Sequence, residues 1–230
     1  MKNVWHGVCW VLSAVAVGVS LYLFAHRGDL FPAMVPTHWN LAGKPDIWTP
    51  RENLFWHLLG MPLFMCGFTL LSYLFPWLSP RHFKVDANRK VYGYIIFLVV
   101  TLFGYLHTVI VLTFAEPEGG DFLRFFLGGV FFFFMLFGNV MGQVPRNFWM
   151  GVRTPWTLAS NLVWVKTHRL AAWLCVAGGL AGLVLVWLDA SPYLYIAPLV
   201  LALGIPVVYS LVLYKQLEKN GQLALEQSQA

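Results

Sequence analysis

The sequence predicts an all-α, polytopic membrane protein of about six transmembrane helices, with both termini in the cytoplasm (N-in/C-in). Three observations carry this. Hydrophobic residues make up 59% of the 230 residues and charged residues 11%, a balance too apolar for a soluble domain of that length. The apolar residues gather into six runs of roughly 20, the number a helix needs to cross a hydrocarbon core at a rise of about 1.5 Å per residue. Cations and acids segregate between successive connections, as cytoplasmic and outer loops do.

The six expected spans are 4–24, 53–75, 91–114, 122–141, 169–188 and 192–214. The first is read as a span and not as a cleavable signal, because its apolar run is long and no small-residue cleavage site precedes His26 and Arg27. With the N-terminus inside, 11 of the 15 Lys and Arg are cytoplasmic: Lys2, Arg81, Lys84, Arg89, Lys90, Arg146, Arg153, Lys166, Arg169, Lys215 and Lys219. Arg27, Lys44, Arg51 and Arg124 fall outside, together with Asp29, Asp46, Glu52, Glu116, Glu118, Asp121 and Asp189. The net charge of +5 therefore reflects topology, and no direct nucleic-acid partner is expected. The location this implies is a cytoplasmic (inner) membrane, with the lipid bilayer as the first partner.

Local signals sharpen the boundaries. Thr49-Pro50-Arg51-Glu52 reads as a capping box that starts the second span. Ser191-Pro192 reads as the start of the last one. Pro62 and Pro206 fall inside spans, where each removes a backbone donor. Gly178-x-x-x-Gly182 lets helices approach closely, within the chain in preference to between copies. Cys9, Cys66 and Cys175 lie within spans without a CxxC pair and read as small buried hydrophobes. Phe131 to Phe134 reads as bulky and lipid-like, without a cofactor role. The chain divides into a two-span segment with an outer loop (1–75), the third span and its flanks (76–121), a three-span segment with a cytoplasmic loop (122–215) and a polar tail (216–230).

Two connections are ordered beyond what a linker needs. In the cytoplasmic one, Asn139 near a span end needs a hydrogen-bond partner or a cavity. Pro145-Arg146-Asn147 breaks the helix, Gly151 permits a turn, and Thr154-Pro155 restarts a helix with a cap and a proline at its first position. Trp156, Leu158, Leu162, Val163 and Trp164 then suit a short helix lying along the interface, before Lys166-Thr167-His168-Arg169 leads into the fifth span. The plainest reading is a basic loop with aromatic anchors, Arg146 and Arg153 meeting lipid phosphates. The order of the residues favours a docking surface for a cytoplasmic partner, built from Asn139, Asn147, Arg153, Thr154, Pro155, Trp156, Lys166, His168 and Arg169.

Gly138-Asn139-x-Met141, Asn147, Gly151-Val-Arg153-Thr154-Pro155-Trp156-Thr157-Leu158 and Trp164-x-Lys166-Thr167-His168-Arg169 together resemble the signature of the SdpI family, over roughly residues 138–213. The resemblance implies a bacterial polytopic membrane protein. The founding member is an immunity protein against a secreted peptide toxin and a signal transducer that holds a small repressor at the membrane. The implied function here is immunity or signal transduction, with a peptide toxin outside and a small repressor protein inside as partners.

The outer loop, about residues 25–52, contains Pro32, Pro36, Pro45, Pro50 and Gly43, which stiffen it into turns. Its pattern Pro36-x-His38-x-Asn40-x-x-Gly43-x-x-Asp46 resembles a short domain of unknown function found at the N-terminus of SdpI-family proteins, over roughly residues 11–62. Pro36, His38, Asn40, Gly43 and Asp46 are the candidate residues for an extracytoplasmic ligand. His38 and Asp46 are readable as metal ligands with His57, as an acid–base pair, or as a hydrogen-bonded pair that holds the loop. His26 and His107 are also placed near the outer side. Without tight histidine spacing, the hydrogen-bonded pair is the favoured reading and no metal or other cofactor is expected. No HExxH, GxSxG or phosphate-cradling loop appears, so no enzyme is expected, and the metal-dependent alternative at the outer face rests on those three residues alone. A small transporter or lipid-handling protein is the other alternative, with Asn139, Arg146 and Arg153 bordering a path. Against it, the spans lack a central carboxylate, and His107, the one group able to carry a proton, is better read as buried and hydrogen-bonded.

Overall fold

A computed structural model describes residues 4–40, 43–115 and 121–223. Lys2, Glu116, Glu118 and residues 224–230 of the polar tail lie outside the described residues. Among the described residues, six helices are long and apolar enough to cross a membrane. They are α1 (Val4–Ala25), α3 (Phe55–Leu78), α4 (Arg89–Ala115), α5 (Phe122–Met141), α7 (Asn161–Trp187) and α8 (Pro192–Lys219). Two short helices, α2 (Arg27–Leu30) and α6 (Pro155–Ala159), lie in the connections. Helices suit this composition because each satisfies its backbone hydrogen bonds internally and leaves only side chains to meet lipid.

The bundle is built as two three-helix halves. In the first, α1, α3 and α4 pack on one another; in the second, α7 packs against both α5 and α8; α4 and α5 join the halves. Polar side chains tie the first half together. His107 of α4 meets Ser20 of α1 (Nε2 to Oγ, 2.9 Å), the buried, hydrogen-bonded state expected of it. The Tyr92 hydroxyl of α4 donates to the Ser72 carbonyl of α3. The second half is joined by backbone proximity instead. A Cβ added to Gly178 would lie 2.7 Å from the Pro198 carbonyl oxygen, and one added to Gly179 would lie 2.7 Å from that of Phe131. The small-residue face of α7 therefore serves packing within the chain, on α8 and α5. Phe131 is buried against this face, where a Cβ at Gly182 would meet its ring at 2.6 Å. It is not the lipid-facing residue its neighbours suggest, although Phe132 is exposed.

Three further features differ from expectation. The outer loop contains an antiparallel hairpin, β1 (Met34–Trp39) and β2 (Pro45–Pro50), so the chain is not purely helical. Thr49 belongs to β2 and bonds Thr37 across the hairpin (Oγ1 to Oγ1, 2.8 Å), so it caps no helix. The chain passes instead through a 3-10 turn, Arg51–Asn53, and α3 starts at Phe55 without a side-chain cap. Ser191 does precede α8 with Pro192 in its first turn, but its hydroxyl makes no cap bond. The stretch from Asn161 to His168 is the first two turns of α7 and not a separate interfacial helix; only Pro155–Ala159 is short. Pro62, Pro76, Pro198 and Pro206 all lie inside helices.

The two ordered connections sit at opposite ends. Val35 of the hairpin is buried with Phe31, Leu54, Leu58 and Phe114, at the end where α4 finishes. The 142–160 loop packs where α3 ends and α4 begins: the Trp149 indole donates to Ser79 Oγ (3.0 Å), and Val144 is buried with Val91 and Ile95.

Candidate functional site

The loop between α5 and α7 has almost no regular structure, so its backbone must find partners elsewhere. Asn147 supplies most of them. Its side chain is fully buried. Oδ1 accepts from the amides of Trp149 and Met150, both at 2.7 Å, and Nδ2 donates to the carbonyls of Pro145 (2.8 Å) and Met150 (3.3 Å). One amide group thus closes a turn of six residues, as Asn can where a longer side chain cannot.

His168 performs the same office from α7. The Val152 amide donates to its Nε2 (3.1 Å), which leaves Nδ1 to carry the proton and donate to the Trp164 carbonyl (2.9 Å). The ring stacks on Trp164 at 3.9 Å between centroids, and the Trp164 indole donates to the Val144 carbonyl (2.9 Å). Gly151 lets the chain pass this ring. Its φ is +95°, and a Cβ there would fall 2.2 Å from His168 Nε2.

Thr154 and Thr157 then form a reciprocal cap on α6. The Thr157 amide donates to Thr154 Oγ1 (3.2 Å), and the Thr154 amide donates to Thr157 Oγ1 (2.9 Å). Thr154 Oγ1 also bonds Ser210 Oγ of α8 (3.0 Å), which fixes the loop to the last helix. Ser160 caps α7 through the Val163 amide (3.2 Å). Arg146 lies over the Phe83 ring, 5.0 Å from its centroid, and donates to the Leu158 carbonyl (3.4 Å).

The expected partner-binding residues therefore divide. Asn147, Thr154 and His168 are buried and hold the loop's shape. Trp156 is half-buried against Val163, Leu213 and Leu217. Arg153, Pro155 and Lys166 are exposed, with Arg153 donating to the Phe148 carbonyl (2.6 Å). Asn139 and Arg169 are exposed too, but they lie together in a groove of about 350 Å³ between α5 and α7, apart from that display. Thr157, Ser160 and Ser210 complete this frame without being among the candidate docking residues that the sequence offers. Ser160 carries a readable signal, a serine three residues before Val163 at the head of an apolar run. Ser210 carries none, since its partner is 56 residues away.

At the other end, Asn40 shapes the hairpin turn: its Oδ1 accepts from the Lys44 amide (3.1 Å), and its backbone carbonyl accepts from Gly43 (2.9 Å). Gly43 takes φ +73° and sits against Leu123 of α5. Trp39 stacks on Phe122 at 3.9 Å, and Arg51 Nη1 donates to the carbonyls of Gly28 and Phe31, both at 2.9 Å. Pro36 is buried. His38 Nδ1 meets Asp46 Oδ1 at 2.6 Å across the strands, with both side chains largely exposed. This is the hydrogen-bonded pair favoured from sequence. His57 lies on α3, and no group of three or more His, Cys, Asp or Glu that could hold a metal occurs among the described residues.

Both ends fall in segments that match known proteins. Residues 143–210 match the SdpI/YfhL protein family, and residues 10–66 match a domain of unknown function, DUF1648. The SdpI/YfhL match takes in the loop, α6, α7 and most of α8. The chain is 34% identical over 94 residues to the immunity protein SdpI of Bacillus subtilis (strain 168), a stretch covering 40% of this chain and 45% of that protein. The matched stretch thus spans less than half the length of that relative. No solved structure matches the chain. With six helices among the described residues long and apolar enough to span, it is a multi-pass membrane protein. The segment similar to the SdpI/YfhL family contains the whole stapled core of the loop, from Asn147 through His168 to Ser210.

Proposed function

We propose that this chain is an immunity or signal-transduction protein of a bacterial cytoplasmic membrane, oriented with the 142–160 loop inside and the hairpin outside. The hairpin meets an extracytoplasmic peptide toxin through the exposed His38, Asn40 and Asp46, with Pro36 and Gly43 shaping the strands and the turn. The loop engages a cytoplasmic protein, a small repressor being the case suggested by the family resemblance, through Arg153, Pro155, Lys166 and the free edge of Trp156. Asn147, Thr154 and His168 act by holding that display in place.

The observation that carries this reading is the loop itself. Its buried polar side chains spend their hydrogen bonds on loop backbone and on Ser210 of α8, so its exposed cations stand on a fixed frame, which lowers the entropy cost of docking. An unshaped basic connection between spans would need no such frame. The excess of Lys and Arg at this end supports its cytoplasmic placement.

The test uses a toxin-sensitive Bacillus subtilis strain lacking its own immunity protein and carrying a reporter for induction. Expressing this chain is expected to restore survival. Arg153→Ala and Lys166→Ala together are expected to cut induction at least fivefold at equal membrane levels, and His38→Ala with Asp46→Ala to cut survival. Wild-type cells that stay sensitive and uninduced would refute the reading.

A further inference from the structure

We propose that the groove between α5 and α7 at the loop end is a binding site for one anionic glycerophospholipid, its phosphate held by Arg169 and its glycerol-ester region by Asn139. The groove holds about 350 Å³ and is lined by Gly138, Asn139 and Gly142 of the α5 end and by Arg169, Ala172 and Trp173 of α7, among others. Its depth fits the border of the hydrocarbon. Asn139 and Gly142 lie within two residues of Met141, the last residue of α5, a helix just long enough to span, at about 30 Å. Arg169 lies about 12 Å into α7, level with that border, and the helix beyond it is apolar to Trp187.

Charge complementarity selects the occupant. Arg169 and Asn139 make no ion pair or side-chain hydrogen bond with another described residue, while the described acids at this end are engaged elsewhere: Asp86 with Arg89 and Glu218 with Lys215. A cation at the rim of the hydrocarbon without a protein counter-ion is stabilised by a lipid phosphate. The guanidinium can bind two phosphate oxygens at once, and the Asn139 amide can donate to an ester carbonyl. Gly142 leaves room for the headgroup, and Trp173, 72% exposed, stands beside it as interfacial indoles do. Below it, Ala172 and Val176 offer an apolar wall to an acyl chain. This site is separate from the protein-docking display on Arg153 and Lys166, and it does not depend on that reading.

Gly142 gives a test that leaves the charge untouched. It sits in an αR cap conformation, and a Cβ there meets nothing within 4 Å. Gly142→Leu should therefore fold normally and fill the groove. The measurement is native mass spectrometry of the full chain in detergent, titrated with phosphatidylglycerol or phosphatidylcholine. Wild type is expected to retain one phosphatidylglycerol at least fivefold more strongly than phosphatidylcholine. Arg169→Gln and Gly142→Leu should each lower that retention at least fivefold, and Lys90→Gln, an exposed cation on α4 outside the groove, should not. Equal retention by Arg169→Gln and wild type, loss in Lys90→Gln to the same extent, or equal binding of both lipids would overturn the proposal. A melting temperature for Gly142→Leu equal to that of wild type shows that the change is local; for a variant that does not fold, Arg169→Gln alone decides.

Discussion

Asn147 shows what a single side chain does in this protein. Four backbone groups of the loop depend on its amide, and its surroundings admit no water to replace it. Each buried group left unpaired costs about 1–3 kcal/mol, so Asn147→Ala is expected to destabilise the loop end by about 2 kcal/mol or more. The readout is tryptophan fluorescence on heating in detergent, since Trp149 and Trp164 both report on that end. A melting curve unchanged from wild type would mean that the loop is held by something other than this amide. The residue could be read from the sequence as belonging to the motif, but its role could not. The same letters fit a partner contact or an internal staple, and burial alone distinguishes the two.

The hairpin is an element whose faces are unequal. One is driven into the bundle by Val35 near the base and Trp39 near the turn, while the His38–Asp46 pair stands in solvent near the tip. Exposed pairs of this kind contribute less than about 1 kcal/mol, whereas burial of an aromatic ring against another gives more. Trp39→Ala is therefore expected to free the hairpin, with hydrogen exchange in residues 45–50 rising at least tenfold, and His38→Ala to change it by less than threefold. The opposite ranking would show that the tip pair holds the hairpin. The sequence marked this loop as stiff through its prolines but not as a pair of strands. Pro36, Pro45 and Pro50 lack amide donors and argue against a strand, yet a two-stranded ribbon has free edges on which such residues are tolerated. The capping reading of Thr49 failed for the related reason that its hydroxyl had a better partner across the ribbon, in Thr37.

Across the whole molecule, the two ordered segments occupy opposite ends of a bundle whose halves are joined differently, by polar ties in α1, α3 and α4 and by glycine contacts in α5, α7 and α8. The orientation proposed above predicts that a cysteine placed at His38 reacts with an impermeant thiol reagent in intact cells, and one at Arg153 only after permeabilisation. The native cysteines are buried or half-buried, so they give a low background. Equal labelling of both positions from outside would reverse the assignment of faces.

The number of spans, most of their limits and the segregation of cations follow from the sequence alone, because length, apolarity and charge act locally and the bilayer imposes one answer on each helix. The cap at Thr154 and the turn at Gly151 were legible for the same reason. The tertiary structure decided which residues of the Arg-Thr-Pro-Trp segment face inward, that Phe131 belongs to the interior, that α7 begins at Asn161, and that Asn139 and Arg169 share one groove. Each of these depends on a partner from a distant part of the chain, and the order of residues along one helix carries no record of which neighbour it will meet.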